Sequence, residues 1–282
     1  MKEKITPCLW FNGQAGDAAA TYCVAFKSAK ITSKSPFVTG IEVAGQHITL
    51  LDGGPMYKPN ASISFYVGCE TEEEFDVAWN ALTKGGTIVA KPEKTQWSEK
   101  YGWVTDAYAV SWQLGVQKKS DIRQKITPYL MFTGDQYGRA GDAIQHYEEV
   151  FKKAATEGVV RYGPNDAPER DGFIRHAEIE LLNQKFMLSE VASTDIPFTE
   201  GISLTVHCEN QEEVDYYWNK LTEGGKESMC GWLKDRFGVS WQIIPTILTK
   251  LMSDPKKAGK AAQAFMSMRK LDIEQIVQAS IA

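Results

Sequence analysis

Gln113 and Gln242 each close a Val-Ser-Trp-Gln tetrapeptide. In an extended chain alternate side chains share a face, so Ser111 and Gln113 point one way and Val110 and Trp112 the other. The same alternation places Ser240 with Gln242. Hydroxyls and carboxamides donate and accept hydrogen bonds without carrying charge. Such a face suits the wall of a small-molecule pocket, and it suits equally the polar side of a half-buried sheet. Trp103 and Trp232 stand ahead of the two tetrapeptides, and Trp112 and Trp241 lie within them. Their rings either stack on a ligand or fill core volume, with core the commoner fate. Trp10 is a further aromatic candidate. The ligand-facing residues expected from the sequence are therefore Gln113, Gln242, Ser111, Ser240, Trp103, Trp232 and Trp10.

Other chemistry is weaker. His176, Glu178 and Glu180 alternate along one extended segment and form the best metal-like set in the chain, although a solvated strand face explains them as well. Cys230 precedes Gly231-Trp232, with Lys226 and Lys234 nearby. A reactive thiol needs a depressed pKa, and an inert thiol is the expectation. Cys69 and Cys208 end apolar segments and read as core. No His-Glu-x-x-His, Gly-x-Ser-x-Gly or phosphate-loop motif is present, so neither a metal site nor a hydrolase triad is expected. Gly13-Gln14-Ala15-Gly16 matches only part of a dinucleotide-binding turn, and no cofactor is expected from it.

The elements that must position these residues come in duplicate. Ile5-Thr6-Pro7-Cys8-Leu9-Trp10-Phe11 returns as Ile126-Thr127-Pro128-Tyr129-Leu130-Met131-Phe132. Residues 63–86 align with 202–225 without a gap, and 14 of the 24 pairs are identical. A frame Gly-Trp-x-x-Asp-x-x-x-Val-Ser-Trp-Gln runs from Gly102 to Gln113 and again from Gly231 to Gln242. An internal repeat of this kind sets the architecture. Changes in the offset between copies place an insertion of the second copy at 161–172 and a longer loop of the first at 90–101. Trp10 faces Met131 in this alignment, so pockets built from the two copies would differ in shape.

Within a copy, Thr6 to Phe11 reads as a strand and Ala15 to Lys27 as a helix with Ala18, Tyr22, Ala25 and Phe26 on one face. Strands follow at Lys30 to Ser33, Phe37 to Val43 and His47 to Leu51. A second unit opens with a strand at Ile63 to Cys69. Thr71 with Glu74, and Asn210 with Glu213, carry the spacing of a helix-capping box. Phe75, Ala78, Trp79 and Leu82 then form a buried stripe ended by Gly85-Gly86. Further strands are expected near Ile88, at Tyr101 to Thr105 and at Ala109 to Val116. Each copy thus reads βαβββ twice. The expected fold is α+β, with domains at 1–120 and 121–250 and a helical tail at 251–282. Helices in the tail are expected to start at Asp254-Pro255 and after Asp272.

The 282 residues suit two domains, and the net charge of −5 with mixed signs argues against nucleic-acid and anionic-membrane partners. Five cysteines without close pairing fit a reducing, cytoplasmic setting. No leader or membrane-spanning run is seen.

Paired βαβββ units resemble the vicinal oxygen chelate (glyoxalase/bleomycin-resistance/dioxygenase) superfamily. The Thr-Pro-x-Leu-x-Phe strands at Thr6 and Thr127 are similar to its PhnB-like branch, also described as 3-demethylubiquinone 3-methyltransferase-like. So are the Ala-x-x-x-Tyr-x-x-x-Phe helices at Ala18 and Ala143 and the Gly231 frame. The resemblance implies two glyoxalase-like domains, each built of two βαβββ units in a bowl-shaped mixed sheet. It implies that the two copies pair within the chain, with a homodimer possible. Metal ligands of relatives would fall at or beside Pro7 and Pro128, near Ser64 and Ser203, and on Gln113 and Gln242, none of which is a strong ligand. The function expected is binding of a small molecule in the bowls. The alternatives are a divalent-metal lyase, isomerase or dioxygenase, a methyltransferase on the family label, and a non-catalytic interaction protein.

Overall fold

The computed structural model describes residues 3–152 and 154–281. In chain order the first copy holds β1 (Ile5–Phe11), α1 (Ala15–Ala25), β2 (Lys30–Lys34), β3 (Val38–Val43), β4 (Gln46–Asp52), β5 (Ile63–Cys69), α2 (Glu72–Leu82), β6 (Thr87–Glu93), β7 (Tyr101–Thr105) and β8 (Ser111–Val116). The second holds β9 (Ile126–Phe132), α3 (Ala140–Val150), β10 (Ala155–Arg161), β11 (Ile174–Leu181), β12 (Gln184–Glu190), β13 (Ile202–Cys208), α4 (Gln211–Thr222), β14 (Lys226–Glu227), β15 (Trp232–Lys234) and β16 (Ser240–Pro245). The tail holds α5 (Thr246–Ser253), α6 (Ala258–Met266) and α7 (Ile273–Ile281). The α+β class and the four βαβββ units read from the repeat are those of the structure, α1 stopping two residues short of its expected end.

The chain forms two compact units, Pro7–Ile202 on the one hand and Met1–Thr6 with Ser203–Ala282 on the other. The larger unit contains a complete eight-stranded mixed sheet in the order β10-β11-β12-β9-β5-β8-β7-β6, and a four-stranded run β1-β4-β3-β2. Its central joint is antiparallel β5–β9, with Ser64 opposite Tyr129 and Phe65 opposite Pro128. This corrects one expectation: a copy's own two units do not share this sheet. The second unit of the first copy joins the first unit of the second copy. In the smaller unit the order is β14-β15-β16-β13, and the Lys4 carbonyl accepts the His207 N–H while Thr6 Oγ1 lies 2.8 Å from His207 Nε2.

Helices cover one face of the strands: α1 lies on β3 and β4, α2 on β7 and β8, α3 on β11 and β12, and α4 on β15 and β16. Their starts follow the capping chemistry. Thr71 Oγ1 accepts the Glu74 N–H at 3.2 Å, and Asn210 Oδ1 accepts the Glu213 N–H at 2.9 Å. The glutamates reach back one residue further than a standard box, to the N–H of Glu70 and of Glu209. Gly85 (φ +72°) and Gly224 (φ +74°) then take the left-handed turn that a side chain would resist.

The tail departs from expectation in two places. Asp254 and Pro255 lie in a turn, and α6 starts at Ala258, three residues later. An additional helix, α5, occupies Thr246–Ser253, which the strand-like Ile243-Ile244 run masks in the sequence. The start after Asp272 holds, with Asp272 Oδ1 accepting the Gln275 N–H at 2.9 Å. Leu248, Leu251, Ala261, Leu271 and Ile276 give the tail a small core of its own. Gln211 fixes it to α4, donating to the Leu271 carbonyl and accepting the Ile273 N–H.

Candidate functional site

The repeated aspartate decides which way the Val-Ser-Trp-Gln strand faces. Asp106 Oδ1 accepts the N–H groups of Tyr108 and Val110, and its Oδ2 accepts Trp112 Nε1–H at 2.9 Å and the Tyr22 hydroxyl at 2.8 Å. Asp235 repeats this with Phe237, Val239 and Trp241. Burial raises the Asp106 carboxyl pKa, and the four donors oppose that rise. The aspartate thus folds the β7–β8 turn and pins Trp112 among Tyr22, Phe26 and Phe65, on the helix side. Trp112 and Trp241 are fully buried there and are core. The sequence showed this aspartate only as a repeated letter. Its spacing before a Val and a Trp was the available signal.

With Trp112 facing the helices, alternation turns Ser111 and Gln113 to the other face, here termed the inner face. Strand register aligns Ser111, Ser64, Tyr129, Met187 and Glu178 in one row across five strands. Trp103, Gln113 and Tyr66 form the next row. These side chains are already bonded to one another. Gln113 donates to Ser64 Oγ at 2.8 Å and accepts the Tyr101 hydroxyl at 2.7 Å, and Trp103 Nε1 donates to Ser111 Oγ at 2.6 Å. Of the residues expected to face a ligand, Ser111, Gln113 and Trp103 are therefore brought together.

The second-copy counterparts lie in the smaller unit. Gln242 donates to Ser203 Oγ at 2.9 Å, and register sets Trp232 opposite Gln242. Ser240 Oγ is buried without a hydrogen-bond partner among the described residues. Trp10 belongs to the larger unit on β1. Its Nε1 donates to the Gly54 carbonyl at 2.8 Å, its ring meets Tyr57 edge-on at 5.0 Å, and it covers Gly53, where a Cβ would collide with it.

Sequence reasoning missed the phenols. Tyr66, Tyr101 and Tyr129 all project onto the inner face of the eight-stranded sheet, and burial raises the pKa of each, so they are neutral donors. The Tyr101 hydroxyl is bonded to Gln113, in the row that also holds Tyr66. The period-2 pattern gave their direction, but Tyr101 and Tyr129 have Cys230 and Cys8 as counterparts, so the repeat did not draw attention to them.

His176 and Glu178 stand on this same face. The imidazole Nε2 is 3.6 Å from Glu178 Oε1, and Lys185 Nζ is 3.5 Å from Glu178 Oε2. The His176 bond first, then Lys185, holds the Glu178 carboxyl below its usual range. Among the described residues no three His, Cys, Asp or Glu side chains converge as a metal cage. At the places where superfamily ligands would fall, Pro128 faces the helices, Ser64 and Gln113 bond each other, and Tyr129 is a protonated phenol 3.5 Å from His176 Nδ1. This donor set does not fit a divalent ion, which asks for imidazole or carboxylate.

A nucleotide-type cofactor fits no better at the turn before α1. Asp52 Oδ1 accepts the Ala15 N–H at 3.0 Å, and Glu190 Oε1 accepts the Ala140 N–H at 2.8 Å at the corresponding start of α3. Both helix N-termini already hold a carboxylate of the chain itself. On the helix side, a cleft of about 280 Å³ runs between Thr21, Val24, Leu82, Lys84 and Tyr108 over Asp106. The Asp106 oxygens at its floor are those committed to the turn.

The cysteines are core or shielded. Burial pushes the Cys69 and Cys208 thiols up to about 12 and raises that of Cys230, opposite to what a nucleophile needs.

Compared with known proteins, the sequence matches the family described as 3-demethylubiquinone-9 3-methyltransferase over residues 3–115 and again over 124–244. The chain belongs to this family, in a tandem form. A PhnB protein from Bacillus cereus is 31% identical, covering 41% of this chain and 100% of its own, with a TM-score of 0.38. Glyoxalase I from Zea mays is 11% identical over 90% of this chain and 98% of its own, with a TM-score of 0.55, a likeness of fold. A point variant of the same Zea mays enzyme is 12% identical over 86% of this chain and 94% of its own, with a TM-score of 0.56. No curated protein matches. Family and fold agree with the PhnB-like, glyoxalase-like resemblance drawn from the motifs. No helix among the described residues is long and apolar enough to cross a membrane.

Proposed function

We propose that the chain is a small-molecule-binding protein of the PhnB-like, glyoxalase-fold type, and that the inner face of the eight-stranded sheet in Pro7–Ile202 is its ligand site. The observation that carries this reading is the buried, pre-bonded row of Gln113 with Ser64 and Tyr101, flanked by Trp103 on Ser111. Side chains locked by one another keep their geometry when a ligand arrives, which lowers the cost of binding. The neutral donors favour an uncharged or weakly charged ligand. For metal-dependent chemistry this face offers the imidazole of His176 and the carboxylate of Glu178, bonded to each other and joined by no third such group among the described residues, and methyl transfer rests on the family name alone.

We propose further that the protein works in the cytoplasm, and that the duplicated copies supply within one chain what single-copy relatives would obtain by pairing. Native mass spectrometry of the full chain tests the site. A small molecule should co-purify with the wild type and be lost from Gln113→Ala. Retention at equal occupancy in Gln113→Ala moves the site elsewhere, and a bound divalent ion retained through desalting would restore the metal-enzyme alternative.

A further inference from the structure

Resting on that site, its ligand can be assigned a chemical class from one group the architecture leaves unmatched. The Tyr66 side chain is 8% exposed, and its hydroxyl is buried with no hydrogen-bond partner among the described residues. Its row neighbour Gln113 is satisfied by Ser64 and Tyr101, and the Tyr129 hydroxyl, two residues along β9 from Tyr66's partner Thr127, has His176 Nδ1 at 3.5 Å. A buried donor without an acceptor keeps the full penalty of leaving water, so such groups are rare unless something completes them.

The sequence makes room for this hydroxyl. A Cβ built on Gly115 would collide with Tyr66 Oη. Gly115 is directly opposite Tyr101 on β7, and Trp103 follows two residues on, opposite Gln113. The Tyr66 oxygen therefore lies over a notch in β8, beside the half-buried rings of Tyr101 and Trp103. In the second copy Thr205 takes the place of Tyr66, and Cys230 that of Tyr101.

The geometry points to a ligand that presents a neutral acceptor oxygen, carbonyl or ether, to the Tyr66 hydroxyl while a planar apolar portion lies against Tyr101 and Trp103. Lys185, the cation beside Glu178 on this face, is already ion-paired with Glu157 and Glu178 and offers no open partner to an anionic ligand. A ligand amine finds no open carboxylate either, since Glu178 is bonded to His176 and Lys185.

The experiment is a titration of the full-length chain with acetophenone, a neutral planar ketone, and with benzoate, its anionic counterpart of similar size, followed by calorimetry or ligand-observed NMR. Acetophenone should bind at least tenfold more tightly than benzoate, and Tyr66→Phe should weaken acetophenone about tenfold, the worth of one hydrogen bond to a desolvated donor. The same variant without ligand should melt about 2–4 °C higher than the wild type, since it removes an unmatched polar group. Equal affinity of Tyr66→Phe and wild type for acetophenone overturns the assignment, as does a lower melting point for the variant. If both probes bind equally and Gln113→Ala weakens both, the ligand face stands and the class is wrong. If neither binds and no small molecule co-purifies, both fall.

Discussion

The pairs Ser64–Gln113 and Ser203–Gln242 make the same hydrogen bond, at 2.8 and 2.9 Å, on corresponding parallel strands of the two copies. What surrounds them differs. Around Gln113 stand Tyr66 and Tyr101; the matching residues around Gln242 are Thr205 and Cys230. The glutamine–serine bond and the aspartate that orients its strand came through duplication together, and they hold β8 to β5 and β16 to β13. These two phenols, Tyr66 and Tyr101, belong to the first copy only. The shared part is scaffolding that any copy needs in order to fold, whereas the unshared part is where a function particular to one face can reside.

The comparison can be broken most severely at the shared aspartates. Asp106→Ala would leave two backbone N–H groups, the Trp112 indole and the Tyr22 hydroxyl without their acceptor. A loss of about 3–5 kcal/mol is expected by chemical denaturation. Asp235→Ala should lose a comparable amount. A cost below about 1 kcal/mol in either would show that the aspartate is not what holds the turn.

Next in size is the pair Gln113→Ala and Gln242→Ala. Each should cost about 1–3 kcal/mol through the buried serine left unmatched, but only the first should abolish the co-purifying molecule. Equal loss of ligand from both would erase the distinction drawn between the two faces.

The smallest effect concerns pH. The Glu178 carboxyl is held below its ordinary range by His176 and Lys185. Its folded-state pKa is depressed, so its stabilising contribution is present above the ordinary carboxylate value and is lost as pH falls through the depressed one. The pair is partly exposed and worth under about 1 kcal/mol. Melting of the wild type minus that of Glu178→Gln should show a positive gap near about pH 6 that closes toward about pH 3. A gap independent of pH would assign the difference to packing.

Much of this was legible in the chain itself. The period-2 alternation of Val-Ser-Trp-Gln correctly separated Trp112 from Ser111 and Gln113, because a pleated strand has only two sides. The Thr71 and Asn210 caps were legible for a similar reason: their partners lie three residues away. Asp254-Pro255 misled because capping preference is a weak local signal, and the packing of α5 against Leu271 and Ile276 shifts the next helix start to Ala258. The role of Tyr66 was hidden because a tyrosine in an apolar strand gives no sign of whether its hydroxyl finds a partner.

What the amino-acid order determined is local: the duplicated βαβββ units, the face each side chain takes, the capped helix starts and the family. Which strands became neighbours was decided only in three dimensions. β1 and β9 carry nearly the same sequence, Ile-Thr-Pro-x-Leu-x-Phe, and β5 and β13 share Ile-Ser-x-x-Val-x-Cys. To a strand seeking an edge these are near-equivalent partners, since backbone hydrogen bonds and an apolar face do not record which copy they came from. The joining of β5 to β9, and with it the meeting of Tyr66, Tyr101, Tyr129 and Glu178 on one face, follows from packing across the whole unit.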